Sequence, residues 1–297
     1  MTAQYQFLSP DQVEQFLTRG FCVVRNAFDR DKARIWTDQV FTRLGYEEAD
    51  PSTWEQHRIH MPSHEFAPVA EYAPLAWGAM CELMGGEDRV RPSTWGNGFI
   101  VNLGKPEDAD TWQPPSAKVG GWHKDGDFFR HFLDSPEQGL LTIVLWSDVV
   151  SRGGATFVAG DSVPVVARFL ADHPEGVTPN GFGFGNMIQE CTDFAEATGE
   201  VGDVYLLHPY ILHASSQNAL RRPRYITNPP VGLKEPMNFN RENPDDFSLI
   251  EQTVLRGLGV ERLDFQPTAP RERIVPGSHA KKQEMLEAER ARLAAIQ

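Results

Sequence analysis

The sequence predicts a mainly β protein with flanking helices, its core a double-stranded β-helix (jelly-roll). Two observations carry this prediction. Between about residues 91 and 230 the chain breaks into short runs rich in β-branched and aromatic residues, each bounded by Gly, Pro, Asn or Asp. Outside that stretch the apolar residues recur at helical spacing, and within it a single helix, Ser162–Ala171, falls among the strands, too few for the regular alternation of a parallel sheet.

The elements follow in order. Ser9 before Pro10-Asp11-Gln12 reads as an N-cap, Val13, Phe16 and Leu17 form an apolar stripe, and Gly20 ends the helix. Phe21 to Val24 is a short strand, and Asp29 to Leu44 a second amphipathic helix. Residues 45 to 75, rich in proline, histidine and acid, read as an extended loop with helical turns. Leu75 to Met84 reads as a buried helix closed by Gly85-Gly86. Strands are expected at Gly98–Leu103, Leu140–Trp146, Ala155–Val158, Asp203–Leu207 and Arg224–Thr227. Helices are expected at Ser162–Ala171, at Asp245–Leu258 before Gly259, and on the surface over the last twenty residues. With no repeat and no long linker, residues 1–297 are expected to form one domain. Its parts are a helical portion (about 1–90), a jelly-roll core (91–230) and a helical extension (231–297).

Composition excludes several roles. With 40% hydrophobic and 23% charged residues the chain is globular, and a formal net charge of −13 argues against nucleic-acid binding. The widely spaced Cys22, Cys81 and Cys191 build neither a disulfide framework nor a CxxC site, so buried free thiols are expected. No apolar run approaches the ~20 residues of a membrane span, and the N-terminus lacks the basic and apolar segments of a secretory signal, so the expectation is cytoplasmic. The expected partner is a small molecule.

The segment Gly120-Gly121-Trp122-His123-Lys124-Asp125-Gly126 places an imidazole and a carboxylate two residues apart, on one face of an extended chain, where both can grip one metal ion. Roughly one HxD or HxE is expected by chance in such a chain, and the second, His173-Pro174-Glu175, reads as surface structure. A third ligand would complete a two-His-one-carboxylate set with open positions. Gly202 to Asn218 offers His208 and His213. Eleven residues beyond His213, Arg224 could neutralise the far carboxylate of a dicarboxylate cosubstrate by a bidentate pairing.

WHKDG, then GDVYLLHPYILHASSQN, whose His213 lies ninety residues after His123, then this arginine, resembles the phytanoyl-CoA dioxygenase family. The opening DQVEQFLTRGFCVVRNAFD and the later GGATFVAGDSV are similar to that family too, over about residues 8 to 230. The resemblance implies iron(II) held by His123, Asp125 and His213, with 2-oxoglutarate and O2 as cosubstrates. It also implies Arg224 on the C5 carboxylate of 2-oxoglutarate and Ser215 as a second contact. The implied activity is a dioxygenase that releases succinate and CO2 and usually hydroxylates; Asp125 argues against halogenation. Ala159-Gly160-Asp161-Ser162 departs from the family's proline- and histidine-containing turn. Trp122, Phe128 and His131 are candidate substrate contacts, while Trp95 and Trp146 are either core or mouth residues. His57, His60 and His64 read as a solvated or lid loop, because Pro62 interrupts their helical spacing. Two rival functions stand beside the oxygenase: a jelly-roll binding module, and a zinc hydrolase on the same three ligands.

Overall fold

The computed structural model describes residues 5–179, 182–275 and 279–295, apart from the side chains of 279–281. The strands are β1 (Phe21–Val24), β2 (Arg58–His60), β3 (Phe66–Pro68), β4 (Thr94–Gly96), β5 (Ile100–Asn102) and β6 (Leu140–Leu145). They continue with β7 (Thr156–Ala159), β8 (Phe194–Ala197), β9 (Val204–Leu207), β10 (His213–Ser215), β11 (Arg224–Thr227) and β12 (Pro230–Val231). A major antiparallel sheet runs β1-β9-β6-β11-β5-β2, with β12 also on β6, and a minor sheet runs β10-β7-β8. The expected jelly-roll architecture is the one observed.

The helices are α1 (Pro10–Arg19), α2 (Arg30–Thr37), α3 (Val40–Leu44), α4 (Val69–Tyr72), α5 (Pro74–Met84), α6 (Asp108–Thr111), α7 (Ser162–Ala171), α8 (Leu249–Leu258) and α9 (His279–Ala294). Ser9 and Gln12 form a capping box on α1, and Gly20 closes the helix in the left-handed region, φ 68°, turning the chain directly into β1. None of the described helices is long and apolar enough to cross a membrane.

Four expectations need correction. The helix foreseen over Asp29–Leu44 is two, split at Asp38-Gln39 where Thr37 and Asp38 are weak helix formers. Residues 45 to 75 hold β2 and β3 as well as turns, and β2 extends the major sheet by pairing with β5. The helix foreseen from Asp245 starts at Leu249, because Pro244–Asp246 makes a 3₁₀ turn and the stronger cap is the Ser248–Glu251 box. The C-terminal helix is not merely a surface helix, since Glu289 is buried against Arg43 of α3.

Behind the major sheet, Tyr72, Trp95 and Trp146 pack on Phe28, and Trp36 packs on Tyr72 and Trp146, with ring centroids 4.8 to 6.2 Å apart. Trp95 and Trp146 are therefore core residues, and Trp146 Nε1 donates to Thr227 Oγ1 at 3.0 Å. Each such ring removes about 150–250 Å² from water, which makes this layer the sheet's main apolar support. Cys22, Cys81 and Cys191 are buried free thiols.

On the far side α8 packs on α7 and α1, and its Glu251 is fully buried. That carboxylate accepts from Arg89 Nη2 (2.6 Å), Arg241 Nη2 (3.0 Å) and the amides of Asn238 and Ser248. Burial alone would raise its pKa, but Arg241 and Arg89 outweigh burial and hold it below the usual carboxylate range. Glu251→Gln is expected to lower the unfolding free energy in urea by about 3 kcal/mol at neutral pH. Because the folded pKa is depressed, the wild type's advantage is full above the unfolded value of about 4.3 and is lost as pH falls through the folded value.

Candidate metal centre

His123 and His213 are joined main chain to main chain. His123 N donates to His213 O and His213 N to His123 O, each at 3.0 Å, as an isolated antiparallel bridge. Residues paired this way present their side chains on the same face, and the two imidazole centroids lie 4.3 Å apart. Asp125, two residues along from His123, reaches under both rings. Its Oδ1 is 3.4 Å from His123 Nε2 and its Oδ2 is 3.5 Å from His213 Nε2.

One ligand atom from each of the three residues lies within 4.8 Å of the other two. Ligands about 2.1 Å from a metal in a facial arrangement sit about 3 Å apart, close to these separations. The outer nitrogens are also set. His123 Nδ1 faces Gly121 O at 2.8 Å and His213 Nδ1 faces Ile211 O at 3.3 Å, so protons on Nδ1 leave both Nε2 lone pairs directed inward. His213 Nε2 is buried and has no hydrogen-bond partner among the described residues. A donor set of two imidazoles and one carboxylate fits a divalent transition metal.

The charges agree with this geometry. Burial opposes ionisation of Asp125, yet His213 and His123 hold its carboxyl well below the usual range. Burial likewise opposes the His123 imidazolium, but Asp125 and Gly121 O raise its pKa on balance. Asn228 Nδ2 donates to Asp125 Oδ2 at 2.7 Å and so fixes the carboxylate plane.

The triad stands between two lobes of a cavity. The smaller, about 300 Å³, is walled by Arg58, Ile100, Ile143, Thr156, Ser215 and Ile226, drawn from both sheets. The larger, about 640 Å³, includes Trp122, Phe128, His131, Gln138, Phe184 and Lys282. His60, His123, Asp125 and Asn228 border both.

The expected residues fall as follows. His123, Asp125 and His213 are brought together, Ser215 lines the smaller lobe, and Trp122, Phe128 and His131 line the larger. Trp122 also supports the frame, donating Nε1 to Ser116 O at 3.1 Å. His131 is buried against Lys124 Nζ at 2.9 Å; burial first and Lys124 second lower its pKa to about 2, so it is neutral. Burial lowers Lys124 to about 7.

Arg224 shares the lumen-facing side of β11 with Ile226 but lies below the cavity wall rather than in it. Only 1% exposed, it donates Nε to Gly154 O (2.9 Å) and Nη1 to Ile100 O (3.2 Å), while Nη2 is buried without a partner among the described residues. Burial, then Arg58, lowers its pKa to about 9. No carboxylate pairs with it among the described residues.

His208 is structural, its Nε2 facing Ile250 O at 3.2 Å and its pKa lowered by burial to about 3. His173 meets Phe169 O, away from the triad. Arg58 and Asn228 are not among the residues the sequence singles out, and His60 is expected there only as part of a loop. His60 is not on a loop but on β2, where exposed Arg58 and His60 flank buried Ile59, a period-two signal present in the sequence but hidden by the surrounding prolines and acids. Asn228 carries no comparable signal.

No protein-family model matches the chain and no curated protein matches it in sequence, so the family resemblance rests on its motifs. Distantly similar solved structures include HygX from Streptomyces hygroscopicus, solved with nickel and 2-oxoglutarate bound. It shows 14% identity over 76% of this chain and 88% of that one, with a TM-score of 0.44. AviO1 from Streptomyces viridochromogenes Tue57 shows 14% identity over 77% of this chain and 96% of that one, TM-score 0.42. EctD from S. alaskensis shows 16% identity over 78% and 79%, TM-score 0.42. At this distance the site is read from the chain's own residues.

Asn228→Ala is expected to weaken metal binding about tenfold, measured by competition with a chelator, because the ligand carboxylate loses its fixed orientation. His173→Ala is expected to leave the affinity unchanged.

Proposed function

We propose that the chain is an iron(II)- and 2-oxoglutarate-dependent dioxygenase of the phytanoyl-CoA dioxygenase type. It would hydroxylate a small or medium-sized organic molecule with release of succinate and CO2. The observation that carries this reading is the pairing of a His-Asp-His triad with a buried, incompletely partnered Arg224 on the same side of the sheet. A zinc hydrolase has no need of that guanidinium, whereas a dicarboxylate cosubstrate does.

His123, Asp125 and His213 would hold the iron on one face and leave its remaining positions open. When bound, iron with 2-oxoglutarate supplies oxygen activation coupled to oxidative decarboxylation. Arg224 with its free Nη2, Arg58 on the cavity wall and the Ser215 hydroxyl would hold the far carboxylate. Arg58, Asn102 and Arg224 stand in one cross-strand row, so both guanidinia approach the same end of the smaller lobe. Ile100, Ile143 and Ile226 make its remaining wall apolar and keep water from the anion's carbon chain. The larger lobe, with Trp122, Phe128 and His131, would take the substrate and set its target bond beside the open metal positions. Asp125 keeps the carboxylate ligand in place, which favours hydroxylation over halogen transfer.

Anaerobic titration with iron(II) and 2-oxoglutarate is expected to give a weak visible charge-transfer band in the wild type and none in His213→Ala. Arg224→Met and Arg58→Met are each expected to raise the half-saturating 2-oxoglutarate concentration by about tenfold or more, the worth of a charged hydrogen bond. Tight metal binding without the band would favour the hydrolase or binding-module reading.

A further inference from the structure

The C-terminal helix α9 is tied down by charge buried far from the triad. Glu289 is 2% exposed and Arg43 fully buried; Arg43 Nε donates to Glu289 Oε2 at 2.9 Å. The other Arg43 nitrogens donate to Asn97 O and Pro62 O, each at 2.6 Å, and His64 Nε2 lies 2.8 Å from the same Glu289 oxygen. Arg292 Nη1 donates back to Arg43 O at 2.5 Å. Such a network sets the helix's rotation and register, not merely its presence.

Lys282 lies seven residues before Glu289, which is nearly two turns, or about 10 Å, along the same helix face. Met285 packs on the core between them. The anchor therefore delivers Lys282 to the edge of the larger lobe, beside His60. No carboxylate among the described residues lies within ion-pairing distance of Lys282; Asp127 borders the same lobe without pairing to it.

A second observation comes from another wall of the lobe. Gln138 is 2% exposed, its Oε1 has no partner, and its side-chain amide takes part in no hydrogen bond among the described residues. Buried amides are nearly always paired, so this one is left for a ligand. Between the polar groups the lobe is aromatic and aliphatic, with Phe128, Phe184 and Leu141.

We propose that the larger lobe binds a small organic anion, its charged group held by Lys282 and its hydroxyl or amino group hydrogen-bonded by the Gln138 amide. This rests on the oxygenase reading only in calling that anion the substrate: the charges of 2-oxoglutarate would be met by the metal and the arginines, which leaves Lys282 uncompensated. Lys282 is thus a specificity-determining residue supplied by α9, and Glu289 a positioning residue that acts through it.

The test compares 4-hydroxyphenylacetate with its neutral amide by saturation-transfer NMR on the full chain loaded with zinc(II) and 2-oxoglutarate. The acid is expected to bind roughly three- to fivefold more tightly than the amide, the range of a solvent-accessible ion pair. That preference should vanish in Lys282→Met, survive in Lys282→Arg, and fall in Glu289→Gln. Gln138→Leu should weaken acid and amide alike. Equal binding of acid and amide, or an unchanged preference in Lys282→Met, overturns the proposal; Lys282 is exposed, so that variant folds even if Glu289→Gln does not. The signal of 2-oxoglutarate itself reports separately on the oxygenase reading, so the two failures are distinguishable.

Discussion

The site depends on one pair of reciprocal main-chain hydrogen bonds, those between His123 and His213. They join a loop that follows a glycine pair to the first residue of β10, ninety positions later in the chain. Neither residue lies in a long regular ladder, so these two bonds, rather than extended pairing, bring the imidazoles to 4.3 Å. Asp125 then needs only the alternation of an extended chain to reach both rings, and Asn228, carried just past β11, holds its carboxylate. The candidate metal ligands and the support of their carboxylate thus come from three separate stretches of chain.

The charge distribution reinforces this arrangement. The molecule carries a net −13, yet cations collect around its cavity: Arg58 and Lys282 in the walls, Arg224 beneath them, Lys124 between two ligand residues. An acidic exterior with a basic interior suits small anions and disfavours polyanions, which would meet the surface first. Comparing the two most buried arginines separates support from function. Arg43 satisfies its guanidinium with Glu289 and two carbonyls and serves to dock a helix. Arg224 is equally buried but has only carbonyls and one free nitrogen. A buried charge left without a counter-charge is costly, and this cost is the physical ground for proposing that an anion pairs with Arg224.

Legibility in the sequence followed the range of the forces involved. Local signals were read well: Ser9 with Gln12, Gly20, Gly85, Gly259 and the helix Ser162–Ala171 stand where their capping and periodicity place them. WHKDG was legible because a bidentate grip needs only residue types two apart. The choice of His213 over His208 was legible only through the family resemblance and the proline after His208, since both are buried histidines near β9 and β10. Packing decided it: His208 is drawn to Ile250 O, and His213 to the bridge with His123.

By itself the sequence determined the fold class, most of the strands, and a resemblance that names the three metal-binding candidates with Arg224 and Ser215. These follow from patterns of residue type along the chain, which local geometry converts into caps, turns and faces. Only the tertiary structure decided that β2 joins the major sheet and brings Arg58 and His60 to the cavity, and that Asn228 supports Asp125. The same is true of Arg224, which it set beneath the wall, and of α9, which it turned inward on Glu289. Each of these is a meeting of residues distant in sequence, set by sheet register and by the burial of paired charges, and neither leaves a periodic mark on the chain.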